Sequence, residues 1–253
     1  MGDGKARQMA TSHELGQNFA KAFGITFAGS SGQVETCWTT SWGSSTRMVG
    51  GLIMAHGDDQ GIRIPPRVAP VQVVVVAVKD DERTMTAGSK LVRELSEAGV
   101  RARLESRTSQ GFGRRATEWE LKGVPVRLKV GPRDLESGRA TIVRRDNGDK
   151  TTVILDAISA TVVALLEAMR AEMIEDARQR LTERTVEAAS VGEAIDAVKT
   201  GFARIPRGQL GEEGEDALNR EAVSARCLQT REGTVPTSGD LDSELMALVG
   251  RSN

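Results

Sequence analysis

The sequence predicts an α/β chain in three parts: a unit of antiparallel sheet with helices, a mixed-sheet α/β domain, and a small α+β unit at the C-terminal end. Three observations predict it. VQVVVVAV at 71–78 is a continuous β-branched run, the pattern of a strand covered on both faces. Strands and amphipathic helices alternate after it, which implies βαβ connections. GIRIPPRVAP carries three prolines in six residues, an extended linker that separates the N-terminal unit from the mixed-sheet domain. The division is 1–66, then 67–157, a long connecting helix over 158–189, and 190–253.

Taken in order, residues 12–23 read as a short helix. Ser12 caps it, Leu15, Phe19, Ala22 and Phe23 share a face, and Gly24 stops it. ITFAG at 25–29 and ETCWTTSW at 35–42 read as strands joined by a turn. A helix comes next from about Ser45 to Ala55, and HGDDQG at 56–61 reads as its C-terminus and a turn, with Gly57 as the left-handed cap and His56 favouring the dipole. That discounts a metal or acid–base role for His56, Asp58 and Asp59.

Beyond the linker and the strand at 71–78, a helix near 84–98 turns Met85, Leu91, Val92 and Leu95 inward and stops at Gly99. VRARLES alternates as a half-exposed strand, GRRATEWELKG is a helix ending at Gly123, and VPVRLKVG is the next strand. ATIVRRD and TTVIL flank an Asn-Gly turn, the signature of a hairpin. The helical pattern over 155–189 begins apolar and becomes charged, so its second half is solvated. Last come a helix at 191–199, FARIP as a strand, a helix around 212–222, SARCL as a strand, and a loose, turn-rich tail, TREGTVPTSGD.

Composition bounds the function. With 253 residues, 39% hydrophobic and 27% charged, the chain is ordinary globular material, ample for real cores. A formal net charge of −1 gives no global basic field, so any RNA contact comes from a local patch. Cys37 and Cys227, far apart in sequence, suit a reducing, cytoplasmic compartment. No apolar run reaches the ~20 residues that span a membrane, and MGDGKARQ lacks a signal core. Five Phe, three Trp and no Tyr make a base-stacking platform for unstructured single strands a poor expectation.

Arg47 is the first candidate functional residue. It stands in the first turn of a helix, where the dipole already presents positive partial charge, so its placement is favourable only opposite an anion. The preceding TSWGSST is small and polar where a core element would be apolar. The second constellation is Gln8, Thr11 and His13, converging on the start of the helix read over 12–23. The third is the charge cluster of Arg114, Arg115, Glu118, Glu120 and Lys122 on one helix, with Arg133 and Asp134 after it. Cations there hold phosphates, and carboxylates accept from exocyclic amines of unpaired bases.

The words that carry these residues occur together in a known family. GDGKARQMATSHELGQNFAKAF at 2–23, TSWGSSTR at 40–47, HGDDQG at 56–61, PPRVAPVQVVV at 65–75, GRRATEWELKGVPVRLKVGPRDLESG at 113–138 and SARCL at 224–228 resemble prolyl-tRNA synthetases of the archaeal and eukaryotic type. TSWGSSTR resembles the third signature motif of class II aminoacyl-tRNA synthetases. The resemblance implies part of the class II catalytic antiparallel sheet, then an anticodon-binding domain and a terminal domain. It implies ATP contacts for Gln8, Thr11, Ser45 and Arg47, with Arg47 against the phosphate tail as the catalytic cation. It implies a proline pocket of His13, Ser41, Trp42 and Gly43, and anticodon reading by Glu120, Lys122, Arg133 and Asp134.

The implied reaction activates proline with ATP and Mg2+ as prolyl-adenylate, then transfers it to tRNA bearing a proline anticodon. The first two class II motifs are not found upstream, so the isolated chain is expected to be inactive or weak. The alternatives are a non-catalytic tRNA-binding module or a split-synthetase subunit completed by an N-terminal catalytic chain. Many relatives carry a four-cysteine zinc site in the terminal unit. Here only Cys227 remains of that pattern, so no metal and no zinc is expected.

Overall fold

The computed structural model describes residues 2–237 and 239–252. It divides into two compact units, Met1–Ala55 with Arg184–Asn253, and His56–Glu183. The segment before the linker and the C-terminal segment therefore pack as one body, where the sequence suggested separate domains.

The first unit begins with β1 (Ala10–Gly16), α1 (Asn18–Phe23), β2 (Thr26–Ala28), β3 (Val34–Thr36), β4 (Thr39–Ser44) and α2 (Arg47–His56). β1 pairs antiparallel with β4, and β2 with β3. The helix expected over 12–23 is thus half strand. Ser12 and Leu15 lie on β1, whose ladder partner β4 is distant in sequence and outweighs the local helical period. Only Ala20 of α1 is buried, while Phe19 and Phe23 stack in the open at 6.4 Å. The strand read over 35–42 divides at Cys37–Trp38 because its two halves serve different sheets.

The second unit opens with a hairpin, β5 (Gly57–Asp58) and β6 (Gly61–Ile62). Gly57 is a strand residue and not the left-handed cap expected there; the left-handed glycine is Gly61, at φ 113°. The main sheet comprises β7 (Val73–Ala77), β8 (Ala102–Glu105), β9 (Val126–Val130), β10 (Arg139–Arg144) and β11 (Lys150–Ile154), in the order β11-β10-β9-β7-β8. β7 runs parallel to both neighbours, while β10 runs antiparallel to both β9 and β11, so the sheet is mixed.

All five β7 residues are buried, as an apolar run covered on both faces requires. One face packs Val73, Val75, Val126, Leu128 and Ile142 with α3 (Glu82–Glu97) and α6 (Ile158–Glu183). Asp81 caps α3, accepting from the Thr84 N–H at 2.9 Å and its hydroxyl at 2.7 Å. The other face buries Val74 and Val76 under Trp119 of α4 (Phe112–Leu121). α5 (Pro132–Glu136), with Pro132 in its first turn, is a short helix the sequence reading did not separate. α6 keeps to the apolar-to-charged pattern: Ile158, Val162, Leu166 and Met169 are buried and the second half is largely exposed.

The helix expected to reach 189 stops at Glu183, because β12 (Thr185–Glu187) pairs parallel with β13 (Phe202–Pro206). α7 (Val191–Ala197), α8 (Arg207–Arg220, kinked at Gly211), β14 (Val223–Gln229) and β15 (Met246–Arg251) complete the first unit. The sheet order is β12-β13-β15-β14, so β15, which the sequence reading passed over, is a central strand. Ala203, Ile205, Leu210, Leu218, Val223, Ala247 and Val249 form its core. The tail expected to be loose is held locally: Thr230 and Thr234 bond to each other, and Arg204 donates to the carbonyls of Thr230 and Arg231. Ser238 of that tail lies outside the described residues. Within this unit Ala6 N–H bonds to Arg251 O at 2.9 Å, and Arg184 Nη1 to Gly2 O at 2.8 Å, which fastens the N-terminal segment to the C-terminal sheet.

Candidate functional site

The β1–β4 ribbon and the start of α2 enclose an open cleft of about 430 Å3 in the first unit. The antiparallel register sets Thr11 opposite Gly43 and His13 opposite Ser41, and directly opposed residues share one face of a sheet. Ser45 N–H bonds to Met9 O at 3.3 Å, which carries the pairing past the end of β4 and brings the α2 start beside the approach to β1. Gln8 Nε2 donates to Thr11 Oγ1 at 3.0 Å, holding that amide along the ribbon. Gln8, Thr11, His13, Ser41, Trp42, Gly43, Ser45 and Arg47 all line the cleft, with Met9, Ala10 and Ser44. Nothing among the described residues lies within 4 Å of where a Cβ on Gly43 would sit, so that side of the strand is free for a ligand.

One part of the expected geometry is corrected. Gln8, Thr11 and His13 do not converge on the helix expected after Ser12; Thr11 and His13 are strand residues, and the helix that meets the cleft is α2. Its first amides are already satisfied: Arg47 N–H bonds to Ser45 Oγ at 3.3 Å, and Met48 N–H to Ser45 O at 3.0 Å. Among the described lining residues, the group suited to an anion is the Arg47 guanidinium, which offers fork geometry. Among the described residues, no carboxylate lines the cleft.

HGDDQG has a structural role in the second unit. Asp58 receives Arg145 Nη2 at 2.6 Å and Nη1 at 3.0 Å, and Arg63 lies 3.5 Å away. These contacts, with Arg145 first, hold the Asp58 carboxyl below its ordinary range. Burial above all lowers the His56 pKa, with Arg63 and Arg180 adding to it.

The expected RNA residues do not form a single face. Arg115 is turned inward, 2% exposed, and donates to Ala77 O at 2.8 Å and Gln110 O at 3.0 Å, so it holds the fold and leaves the RNA candidates. Lys122 bonds to Glu118 at 2.7 Å and lies 4.8 Å from the Trp119 ring centroid. Glu120, two residues earlier, points the other way, toward Arg127 of β9 at 2.6 Å. Arg133 (exposed) and Asp134 (half-buried) stand on α5, at the far end of β9 from Glu120.

Between those ends lies a surface the sequence reading missed. Arg127, Lys129, Thr141, Val143 and Lys150, with Phe112 and Ala116 of α4, line a groove of about 300 Å3 on the sheet face that α4 leaves open. Arg127 and Lys129 alternate with buried Val126, Leu128 and Val130. That period of two in VPVRLKVG was the signal, since it puts every basic side chain of β9 on one face.

Comparison with known proteins bears on both places. Residues 72–165 match the family described as Anticodon binding domain. A proline–tRNA ligase of Frankia alni is 52% identical over 252 residues, covering 100% of this chain and 54% of that protein. Proline–tRNA ligase 2 of Streptomyces avermitilis is 49% identical over 253 residues, again 100% of this chain and 54% of the relative. The chain thus spans about half the length of the curated relatives it matches. Among solved structures, prolyl-tRNA synthetase from Cryptosporidium parvum complexed with halofuginone and AMPPNP superposes with a TM-score of 0.85 at 30% identity, over 99% of this chain and 55% of that one. The same protein complexed with L-proline and AMP gives 0.84 at 32%, over 99% and 56%.

Proposed function

The chain belongs to the proline–tRNA ligase family, and we propose that it supplies two working surfaces of such an enzyme: a wall that holds ATP and proline, and a module that reads the tRNA anticodon. The observation that carries the first is the convergence of Gln8, Thr11, His13, Ser41, Trp42, Gly43, Ser45 and Arg47 on one cleft that, among the described residues, no carboxylate lines.

In the reaction, a proline carboxylate oxygen attacks the α-phosphorus of ATP, and pyrophosphate leaves. A ribose hydroxyl at the tRNA 3′ end then attacks the prolyl carbonyl, and AMP leaves. No enzyme nucleophile is required; catalysis is orientation and neutralisation of charge. Arg47 neutralises the phosphate tail, Ser45 and the Gln8–Thr11 pair hold the nucleotide, and His13, Ser41, Trp42 and Gly43 bound the proline. ATP enters as its magnesium complex, the metal being part of the substrate; the described residues of this cleft offer it no carboxylate ligand.

The anticodon surface comprises Glu120, Lys122, Arg133 and Asp134 from the family resemblance, with Arg127, Lys129 and Lys150 of the groove between them. Unpaired anticodon bases expose the edges that carboxylates and guanidinium groups read. We place the protein in the cytoplasm, where Cys37 and Cys227 stay reduced. The C-terminal sheet packs on an apolar core, and no zinc is expected to be needed there.

A second reading is favoured by one observation. In the first unit Trp42 is 80% exposed, Phe23 74% and Trp38 71%, around two-stranded ribbons with open edges. Such surface is ordinarily covered. On this reading the chain is a split-synthetase subunit whose catalytic cleft is completed by a separate polypeptide, and alone it is a tRNA-binding module. Proline-dependent pyrophosphate exchange separates the two. Exchange by the chain alone refutes the split-subunit reading; exchange only with the complementary polypeptide supports it. No ATP-analogue binding in either form refutes the cleft assignment.

A further inference from the structure

We propose that Arg145, anchored by Asp58, is a positioning residue for anticodon discrimination, acting through Glu120. The inference rests on the reading of Glu120 as a base reader. Arg145 sits just beyond β10, and its side chain is 3% exposed. All three faces of its guanidinium are engaged: Nη1 and Nη2 fork onto Asp58 at 3.0 and 2.6 Å, and Nε donates to the main-chain carbonyl of Glu120 at 3.0 Å. Its own N–H bonds to Pro125 O at 2.9 Å, which ties it to the start of β9.

Glu120 is the penultimate residue of α4, and its carbonyl, one of those at a helix end that need partners from outside the helix, accepts two donors: the Gly123 N–H at 2.9 Å and Arg145 Nε at 3.0 Å. Arg145 thus adds a second, side-chain tether to a helix end already closed by the main chain. Arg127 separately holds the Glu120 side chain at 2.6 Å, so the carboxylate can leave Arg127 for a base while its Cα stays in place. The β5–β6 hairpin that carries Asp58 is itself seated against this helix end. A Cβ on Gly61 would lie 2.7 Å from Leu121 O, and one on Gly123 would lie 2.5 Å from Ile62 O. Backbone packed against backbone leaves the Asp58 carboxylate little freedom to accompany a moving arginine. A guanidinium suits this role and an ammonium does not, because three directional bonds must be made at once.

The test uses the whole chain and two anticodon stem–loops, one with a proline anticodon and one with that anticodon substituted, and reads the ratio of their Kd values. Asp58→Asn and Arg145→Lys are each expected to lower the ratio about tenfold, within the range that one precise base contact confers, with little change in Kd for the substituted loop. In a Glu120→Gln background neither is expected to lower it further, because the effect passes through Glu120. A ratio left intact by both variants overturns the inference, as does an equal loss in the Glu120→Gln background. If Glu120→Gln itself leaves the ratio unchanged, the base-reader assignment falls and the inference with it. Asp58→Asn keeps the shape of a half-exposed side chain and so remains informative if Arg145→Lys fails to fold.

Discussion

Trp119 donates its indole N–H to Glu105 at 2.6 Å, and the same carboxylate takes Arg107 Nη2 at 2.6 Å, Arg107 Nε at 3.0 Å and the Arg107 N–H at 2.8 Å. Glu105 is only 3% exposed, yet it stays ionised because these donors outweigh the cost of burying it. Arg107 first, and Trp119 after it, hold its pKa at about 2 against an ordinary 4.5. The pair fastens the edge strand β8 to α4, the helix that carries Glu120.

This fixes a pH dependence. A depressed carboxyl contributes stability that is complete above its unfolded pKa of 4.5 and lost as pH falls through the folded value of about 2. The melting midpoint of the second unit is expected to hold from neutral pH to near 5 and fall below it. Asp58, Asp81 and Glu118 are also held below their ordinary values, chiefly by hydrogen bonds from Arg145, Thr84 and Lys122, and so add to the loss of stability in acid. The difference between wild type and Glu105→Gln isolates the one group. That variant is expected to cost about 1–3 kcal/mol at pH 7 and to show a shallower acid slope. Parallel curves for the two proteins would remove Glu105 as the source.

Among the described residues, Arg47 is the sole arginine or lysine lining the cleft, so its removal has no local substitute. Arg47→Ala is expected to weaken binding of a non-hydrolysable ATP analogue by roughly 10- to 100-fold, the worth of a hydrogen-bonded ion contact. Arg47→Lys should recover only part of it, since a point charge replaces a fork. The side chain is exposed, so neither change should move the melting midpoint. Calorimetric titration checks both, and unaltered affinity in Arg47→Ala would mean the phosphate tail lies elsewhere.

Gly123 ends α4 at φ 73°, a left-handed conformation that costs little only for glycine, with Ile62 O 2.5 Å from where a Cβ would stand. Gly123→Ala is expected to destabilise the second unit by about 2 kcal/mol or more, through strain and displacement of the β5–β6 hairpin. Urea unfolding reads it as a lower midpoint at unchanged slope. Gly148→Ala, also left-handed but with nothing described within 4 Å, is the control and should cost clearly less.

How much of this was readable from the sequence divides along physical lines. The β7 run, the Asn-Gly hairpin of β10 and β11 and the glycine stop after α4 are local signals, and the structure has each. β1 was misread because Leu15, Phe19 and Phe23 fall at helical spacing, whereas pairing with β4, nearly thirty residues away, decides the matter. β15 is apolar on both faces because it lies mid-sheet, so its short run carries no alternation to distinguish strand from helix. The cleft residues could be named from their adjoining motifs, although no local signal showed that β1 meets β4. On α4, Glu120 and Lys122 look like neighbours in the sequence. Two residues at about 100° each turn them to opposite sides. Arg115 looked like a phosphate holder, but its i,i+4 relation to Trp119 points it into the core.

The groove on the open sheet face gives the last prediction. If Lys129 and Lys150 meet RNA phosphates there, each contributes to binding through counterion release, with log Kd moving by about 0.7 per tenfold change in salt for each single-strand phosphate neutralised. Lys129→Ala and Lys150→Ala are each expected to reduce the salt slope of anticodon stem–loop binding by about that amount, and to weaken loops of any sequence alike. Arg127→Ala should behave differently: it also releases Glu120, its partner at 2.6 Å, and so should alter discrimination between anticodons as well as the slope. Fluorescence anisotropy across a salt series separates the two patterns. Slopes unchanged in both lysine variants would show that RNA does not cross this face, leaving contact to the helix ends bearing Lys122 and Arg133.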